Sequence, residues 1–208
     1  MIEVAILDYG TGNIKSISSA LHSLKVNSYL AKSTKELEKA DFLILPGVGH
    51  YGHAVNNLKA NSLIEPIVNL INSGLPTLGI CLGFQLLTQS SEEALGKSGL
   101  GLLPLKTKRL SQKFPKIYKI PHIGWNSISF KQKDSKLLKG IPKDSQIFYF
   151  CNSYGVKFSN EFNGDYAEYK HEDTMLGLAE YKNIFVVQFH PEKSHKQGLK
   201  LLHNFLFL

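Results

Sequence analysis

An open, mostly parallel α/β sheet, doubly wound by helices and carrying antiparallel additions, is the fold class this sequence predicts. Three observations predict it. As far as Leu87, short apolar runs alternate with helical stripes at the spacing of βα units. Residues 101–185 then break into short β-like pieces split by Gly, Pro and Asn, which read as antiparallel strands and connecting loops. Finally, an apolar run beginning at Ile184 feeds a segment whose Leu199, Leu202, Phe205 and Leu206 form one more helical stripe. At 208 residues, with no composition break or linker, the chain is expected to be one domain spanning 1–208.

Taken in order, residues 2–7 are an apolar strand, and the turn Asp8-Tyr9-Gly10-Thr11-Gly12-Asn13 leads into Ile14, Ile17, Ala20, Leu21 and Leu24, the buried stripe of a helix. A Gly-x-Gly turn after a first strand invites a dinucleotide reading. The third glycine of that fingerprint is absent, since Lys15 stands there, and no acidic residue closes a second strand about twenty residues on. Residues 26–30 give a second strand, 34–39 a short polar helix opened by Ser33 and Thr34, and 42–45 a third strand. Helices follow at 51–59 and 63–71, and Gly74 and Pro76 stop the second of them ahead of a buried strand at 77–80. The antiparallel pieces are expected at 102–110, 117–120, 127–130, 146–149, 166–169 and 175–181.

Three stretches of this frame carry chemistry. The strand at 77–80 runs into a helix with Leu82, Leu86 and Leu87 on one side, so Cys81 falls at the strand-to-helix corner. Gly79 and Gly83 flank it two residues away on either side, as in the strained Gly-x-nucleophile-x-Gly elbow of hydrolases. A helix N-terminus there would favour a thiolate. The bland alternative is a small buried core thiol. The third strand ends in Pro46-Gly47-Val48-Gly49, whose peptide planes can turn to present N–H groups as an oxyanion hole requires; a plain Gly-rich turn fits this loop equally well when it is taken alone. Position beside the Cys81 strand, at the carboxyl ends of a parallel sheet, favours the first reading. Last comes Gln188-Phe189-His190-Pro191-Glu192-Lys193-Ser194. Pro191 pushes His190 into an extended conformation, and in extended chain residues two apart face the same way, so His190 and Glu192 are expected to pair as base and orienter for Cys81.

Composition narrows the partners. The net charge is +7, yet the 24 basic residues include a single arginine, Arg109, and the lysines are scattered. Nucleic-acid readers cluster their basic residues and favour arginine, so a lysine-dotted surface or a docking face for an acidic partner is the better reading. No apolar run is long enough to span a bilayer, and the chain starts on a strand pattern rather than an export signal; a cytoplasmic location is expected. Two cysteines of different context, Cys81 and Cys151, fit a reducing compartment better than a disulfide framework. His50 and His53 lack a third ligand at metal spacing, so no metal is expected.

The Pro46-to-Gly49 loop, the Gly79-Ile80-Cys81-Leu82-Gly83-Phe84-Gln85-Leu86-Leu87 corner and the Gln188-to-Ser194 segment together resemble the class I (triad) glutamine amidotransferases, a flavodoxin-like fold, over essentially the whole chain. Asp8-Tyr9-Gly10-Thr11-Gly12-Asn13, Pro121-His122-Ile123-Gly124-Trp125-Asn126 and Tyr149-Phe150-Cys151-Asn152-Ser153-Tyr154 narrow the resemblance to the branch serving imidazole glycerol phosphate synthase. The resemblance implies that Cys81 attacks the side-chain amide of L-glutamine, with His190 as general base then acid and Glu192 as its orienter. It implies an oxyanion hole from Leu82 and from Val48 or Gly49, and a glutamine pocket of Gly47, Gln85, Ser153 and Tyr154. Asn13, Trp125 and Lys193 would lie toward a partner. That partner would be a (β/α)8-barrel cyclase in a heterodimer, which takes up the ammonia to make imidazole glycerol phosphate and AICAR in histidine biosynthesis. No cofactor is implied. One departure stands out, since histidine commonly occupies the place of Asn152 in this family.

Other functions stay open at this point. A related glutaminase could supply ammonia for amidination of a bacterial surface sugar, because nothing in a glutaminase touches the acceptor. A stand-alone cysteine hydrolase has the same triad, but this compact chain leaves little for a separate substrate lid. A binding module would make the complete Cys, His, Glu set accidental.

Overall fold

Helices on both faces of one parallel sheet need strands that are apolar on both sides, and β1 (Glu3–Leu7) shows how that is met. Val4 and Ile6 enter the core on one face while Ala5 and Leu7 enter the core on the other. The computed structural model describes residues 2–10, 12–111, 118–131 and 134–208. After β1 come α1 (Ile14–Ser23), β2 (Asn27–Ala31), α2 (Thr34–Leu37), β3 (Phe42–Leu45), α3 (Tyr51–Ala60), α4 (Ile64–Asn72), β4 (Thr77–Ile80) and α5 (Leu82–Leu87). The antiparallel region holds β5 (Ser90–Ser91), β6 (Lys106–Arg109), β7 (His122–Ser127), β8 (Ser129–Phe130), β9 (Ile147–Asn152), β10 (Tyr154–Lys157), β11 (Asp165–Lys170) and β12 (Thr174–Tyr181). The chain closes with β13 (Ile184–Val187) and α6 (His195–Leu206).

The main sheet runs β2-β1-β3-β4-β13-β12-β10-β6-β5. Strands β2, β1, β3, β4 and β13 are mutually parallel, and β12 opens the antiparallel part. Ile17 and Leu21 of α1 and Leu201, Leu202 and Phe205 of α6 fill one core. Val55 and Leu58 of α3, Ile67 and Ile71 of α4, and Phe84 and Leu86 of α5 fill the other. The result is the doubly wound arrangement that the alternating pattern predicts. Ser33 and Glu36 form a reciprocal capping box at α2, which explains how so short a polar helix starts.

Of the strand expected at 117–120, Ile117 lies outside the described residues, and residues 118–120 are not in a strand. The strand in this region is β7, which starts after Pro121 and pairs with β9 in a separate two-stranded sheet from His122↔Asn152 to Ser127↔Ile147. The expected run 102–110 shortens to Lys106–Arg109, since Pro104 has no N–H to give a ladder.

What matters for function is that β4 and β13 are neighbours, with Ile80 opposite Val187. Whatever follows each of them emerges side by side. The corner after β4 is tight: a methyl added at Gly83 would come 2.0 Å from the Leu45 carbonyl oxygen. Gly83→Ala must push α5 off β3, so a loss of about 3 kcal/mol, the upper end of what overpacking costs, is expected in urea unfolding. An unfolding curve superimposable on the parent's would show that the corner is not packed this closely.

Candidate active site

Cys81 occupies the corner between β4 and α5 with φ 50° and ψ −101°, a conformation that L side chains rarely adopt. Its own N–H bonds Val187 O at 2.7 Å, and its carbonyl receives the Gln85 N–H at 3.1 Å, so neighbouring strand and following helix both hold the strained turn. The side chain is buried at the seam between β4 and β13. The Leu82 N–H opens α5 beside it. Gly47 faces that group closely, because a methyl at Gly47 would lie 2.5 Å from the Leu82 nitrogen. Val48 and Gly49 continue outward into solvent, Gly49 at φ 143°. The Tyr9 hydroxyl donates to the Pro46 carbonyl and fixes the inner end of this loop.

His190 leaves β13 on the same side as Cys81. Its N–H bonds Tyr149 O at 2.8 Å, and the Phe189 ring on the opposite side stacks on Phe148 at 4.1 Å, which together lock the segment. The ring Nδ1 lies 2.8 Å from Glu192 Oε1 in a pair whose side chains are 1% and 0% exposed. The backbone route to that pair differs from the extended one that the sequence suggests. Pro191–Lys193 is a turn of 3-10 helix, and it is this turn that brings the carboxylate back under the imidazole. With Nδ1 engaged by Glu192, Nε2 is the ring atom left for the sulfur. Burial alone would lower the His190 pKa, yet the Cys81 sulfur and the Glu192 carboxylate raise it, to about 10. The imidazolium is therefore the favoured form at neutral pH.

That shift sets a pH dependence. A histidine whose folded pKa lies above its ordinary value near 6.5 adds stability that is fully present below about pH 6.5 and is lost as pH rises through about 10. Glu192→Gln should therefore unfold more easily than the parent at pH 6, and the gap should narrow by pH 10. A gap that widens with pH would reverse the sign of the coupling.

Asn13, which the resemblance sets toward a partner, donates its side-chain amide to Glu192 Oε1 at 2.8 Å, while its side-chain carbonyl accepts from the Ser16 hydroxyl at 2.6 Å. Glu192 Oε1 thus receives both His190 and Asn13. Asn13→Ala should weaken the grip on the carboxylate and lower turnover about tenfold, less than loss of Glu192 itself. Wild-type turnover in Asn13→Ala would remove Asn13 from the triad's support.

Gln85, Ser153 and Tyr154 are brought together. Gln85 Nε2 donates to Tyr154 O at 3.0 Å; Ser153 forms the bend between β9 and β10, and Tyr154 opens β10. Asn152 donates to the same carbonyl at 2.9 Å and to the Tyr169 hydroxyl at 3.2 Å, so it serves as a backbone clamp for that bend. Sequence reasoning missed Gln188, whose Nε2 lies 3.4 Å from Cys81 Sγ. The signal was present, because Gln188 stands two residues before His190, and in the extended segment that the sequence suggests residues two apart face the same way.

Trp125 and Lys193 cluster at the rim. Trp125 stands 49% exposed, stacked on His195 with centroids 5.0 Å apart and edge-on to Tyr149 at 6.0 Å. Lys193 Nζ lies 5.8 Å from the centre of the Tyr149 ring. Ile123 and Ile147 on β7 and β9 extend this exposed apolar face. His50 and His53 sit together with centroids 5.0 Å apart, and no metal-type cluster of three His, Cys, Asp or Glu occurs among the described residues. Cys81 and Cys151 are both free thiols, and no described helix is long and apolar enough to cross a membrane.

Known proteins share this framework. A subunit of imidazole glycerol phosphate synthase, HisH, from Pyrococcus furiosus is 41% identical over 206 residues, covering 99% of this chain and 98% of its own. The HisH subunit from Aquifex aeolicus is 41% identical over 209 residues, covering 98% and 96%. In fold, the chain is similar to the structure of PurLQS from Thermotoga maritima, with TM-score 0.75 at 18% identity over 99% and 98% of the two chains. A solved glutamine amidotransferase gives TM-score 0.76 at 17% identity over 98% and 97%. The family model "Glutamine amidotransferase class-I" matches residues 5–208; this chain belongs to the class I glutamine amidotransferase family.

Proposed function

We propose that this chain is the glutaminase subunit of an imidazole glycerol phosphate synthase, hydrolysing L-glutamine and passing the ammonia to a (β/α)8-barrel cyclase. The observation that carries the chemistry is the convergence of Cys81 at its strained corner with the buried His190–Glu192 pair, while full-length identity near 40% to HisH subunits carries the pathway.

Cys81 Sγ attacks the side-chain amide carbon of glutamine. The carbonyl π pair moves onto oxygen, and the Leu82 N–H with an N–H of the Gly47-Val48-Gly49 loop holds the oxyanion. Collapse breaks the C–N bond as the His190 imidazolium gives its proton to the departing nitrogen, which leaves ammonia and a thioester on Cys81. The neutral imidazole then takes a proton from water, whose oxygen attacks the thioester carbon, and the C–S bond breaks to give glutamate and the resting sulfur. Glu192 holds the ring so that Nε2 faces the reaction, and Asn13 holds Glu192. Gln85, Ser153 and Tyr154 position the substrate.

The exposed face of Ile123, Trp125 and Ile147 with Lys193 at its edge supports the docking reading. It lies beside the catalytic segment, since Tyr149 of the same sheet binds the His190 N–H. Mixing the chain with the barrel cyclase of a synthase tests this directly. Glutamine-dependent formation of imidazole glycerol phosphate is expected. Glutamate release without any productive coupling to that cyclase would favour the surface-sugar or stand-alone alternatives.

A further inference from the structure

We propose that Gln188 is a catalytic residue, donating its side-chain N–H to the Cys81 sulfur, and that Tyr154 and Gln85 dictate which end of the Gln188 amide faces that sulfur. The proposal rests on the reading of Cys81 as the nucleophile.

Gln188 is wholly buried directly after β13, with its backbone N–H bonded to Gly177 O at 2.9 Å, so the side chain has a fixed base. Nε2 stands 3.4 Å from Cys81 Sγ. An amide could present either its oxygen or its nitrogen there, and the two would have opposite effects on the sulfur. The neighbours decide. The Tyr154 carbonyl can only accept, so it turns the nitrogen of Gln85 toward itself, at 3.0 Å. The same Gln85 nitrogen lies 3.3 Å from the Gln188 side chain, which must answer with its oxygen. That leaves the Gln188 nitrogen, and its hydrogens, facing Cys81. Asn152 donates to the Tyr154 carbonyl at 2.9 Å and holds the origin of the relay in place.

The sulfur is therefore met by an N–H donor on one side and by His190 on the other. Both favour negative charge on sulfur, once in the resting enzyme and again when the thioester intermediate breaks its C–S bond and the electron pair returns to Cys81. The effect on the sulfur itself separates this role from packing.

The readout is the pH dependence of Cys81 alkylation by iodoacetamide in the full-length chain carrying Cys151→Ser, which removes the exposed second thiol. Gln188→Met keeps length and removes the donor; the alkylation midpoint should rise by about one pH unit, with about tenfold slower reaction at pH 7. Gln188→Glu should shift it further, because a carboxylate opposes the thiolate. Gln85→Met leaves Gln188 in place but frees its amide to turn, so a smaller shift in the same direction is expected. Thermal unfolding identifies which variants are folded, and Gln85→Met keeps the test available if neither Gln188 variant is. Unchanged profiles in the folded variants overturn the proposal while leaving Cys81 as nucleophile. Glutamine turnover surviving in Cys81→Ser would instead overturn the nucleophile reading.

Discussion

Cys81→Ser should lower glutamine hydrolysis by at least about 10³-fold while leaving the fold and the ammonia-dependent half of the synthase reaction intact. Serine fits the site, since oxygen is smaller than sulfur and the strained backbone at φ 50° is held by the Val187 and Gln85 hydrogen bonds rather than by the side chain. What is lost is acidity. A hydroxyl gives no useful anion in this setting, because an alcohol is far less acidic than a thiol. His190→Ala should be comparably severe, whereas Glu192→Gln should cost less, because nucleophile and base both remain. The measurement is glutamate release by the complex, set beside product formation from ammonium salt. Activity within tenfold of the parent would remove Cys81 from the mechanism. Loss of the ammonium-driven reaction as well would show that the substitution damaged assembly instead.

Much of this site could be read from the chain because its parts are local. The corner at Cys81 is written in the two glycines around it, and the loop at Gly47 in a single tetrapeptide. Packing then explains both glycine positions, with Gly83 pressed on Leu45 and Gly47 on Leu82. What stayed hidden depends on distance along the chain. Asn13 meets Glu192 across the whole fold, and no periodicity in either segment signals that contact. The relay from Tyr154 through Gln85 to Gln188 likewise joins three elements that are far apart in sequence. Local rules also misled in one place: Pro191 does make His190 extended, but the chain then tightens at once into a 3-10 turn, and the His–Glu pair depends on that turn. Strand β7 escaped for a different reason. Its outward side chains, Ile123 and Trp125, are apolar, while the positions between them are only half-buried, so the usual alternation of apolar-in and polar-out is blurred.

The chain alone should turn over glutamine about 10² to 10³-fold more slowly than the complex carrying its acceptor, which is the effect of one missing oxyanion donor, or about 3 to 4 kcal/mol. The loop supplies the means. Its inner end is fixed by the Tyr9 hydroxyl on Pro46 and by the close approach of Gly47 to Leu82. Its outer end is not: Val48 is 46% exposed, and Gly49 at φ 143° has a backbone freedom that other residues lack, so the peptide plane between them can rotate with little else moving. The β1–α1 turn lies against it, for a methyl at Gly12 would come 3.7 Å from the Val48 nitrogen, and Asn13 of that turn grips Glu192. A partner pressing on this turn would thus touch the oxyanion loop and the triad carboxylate together. Only a difference in contact energy between the two orientations of the plane is needed to shift its population. Reciprocity follows, so glutamine should tighten partner binding by the same factor by which the partner tightens glutamine binding. Steady-state glutaminase rates for the chain alone, with the barrel, and with the barrel plus an acceptor analogue, read alongside both binding constants, measure all of this. Full activity in the isolated chain would mean that the loop already holds its N–H toward the site, leaving nothing for a partner to switch.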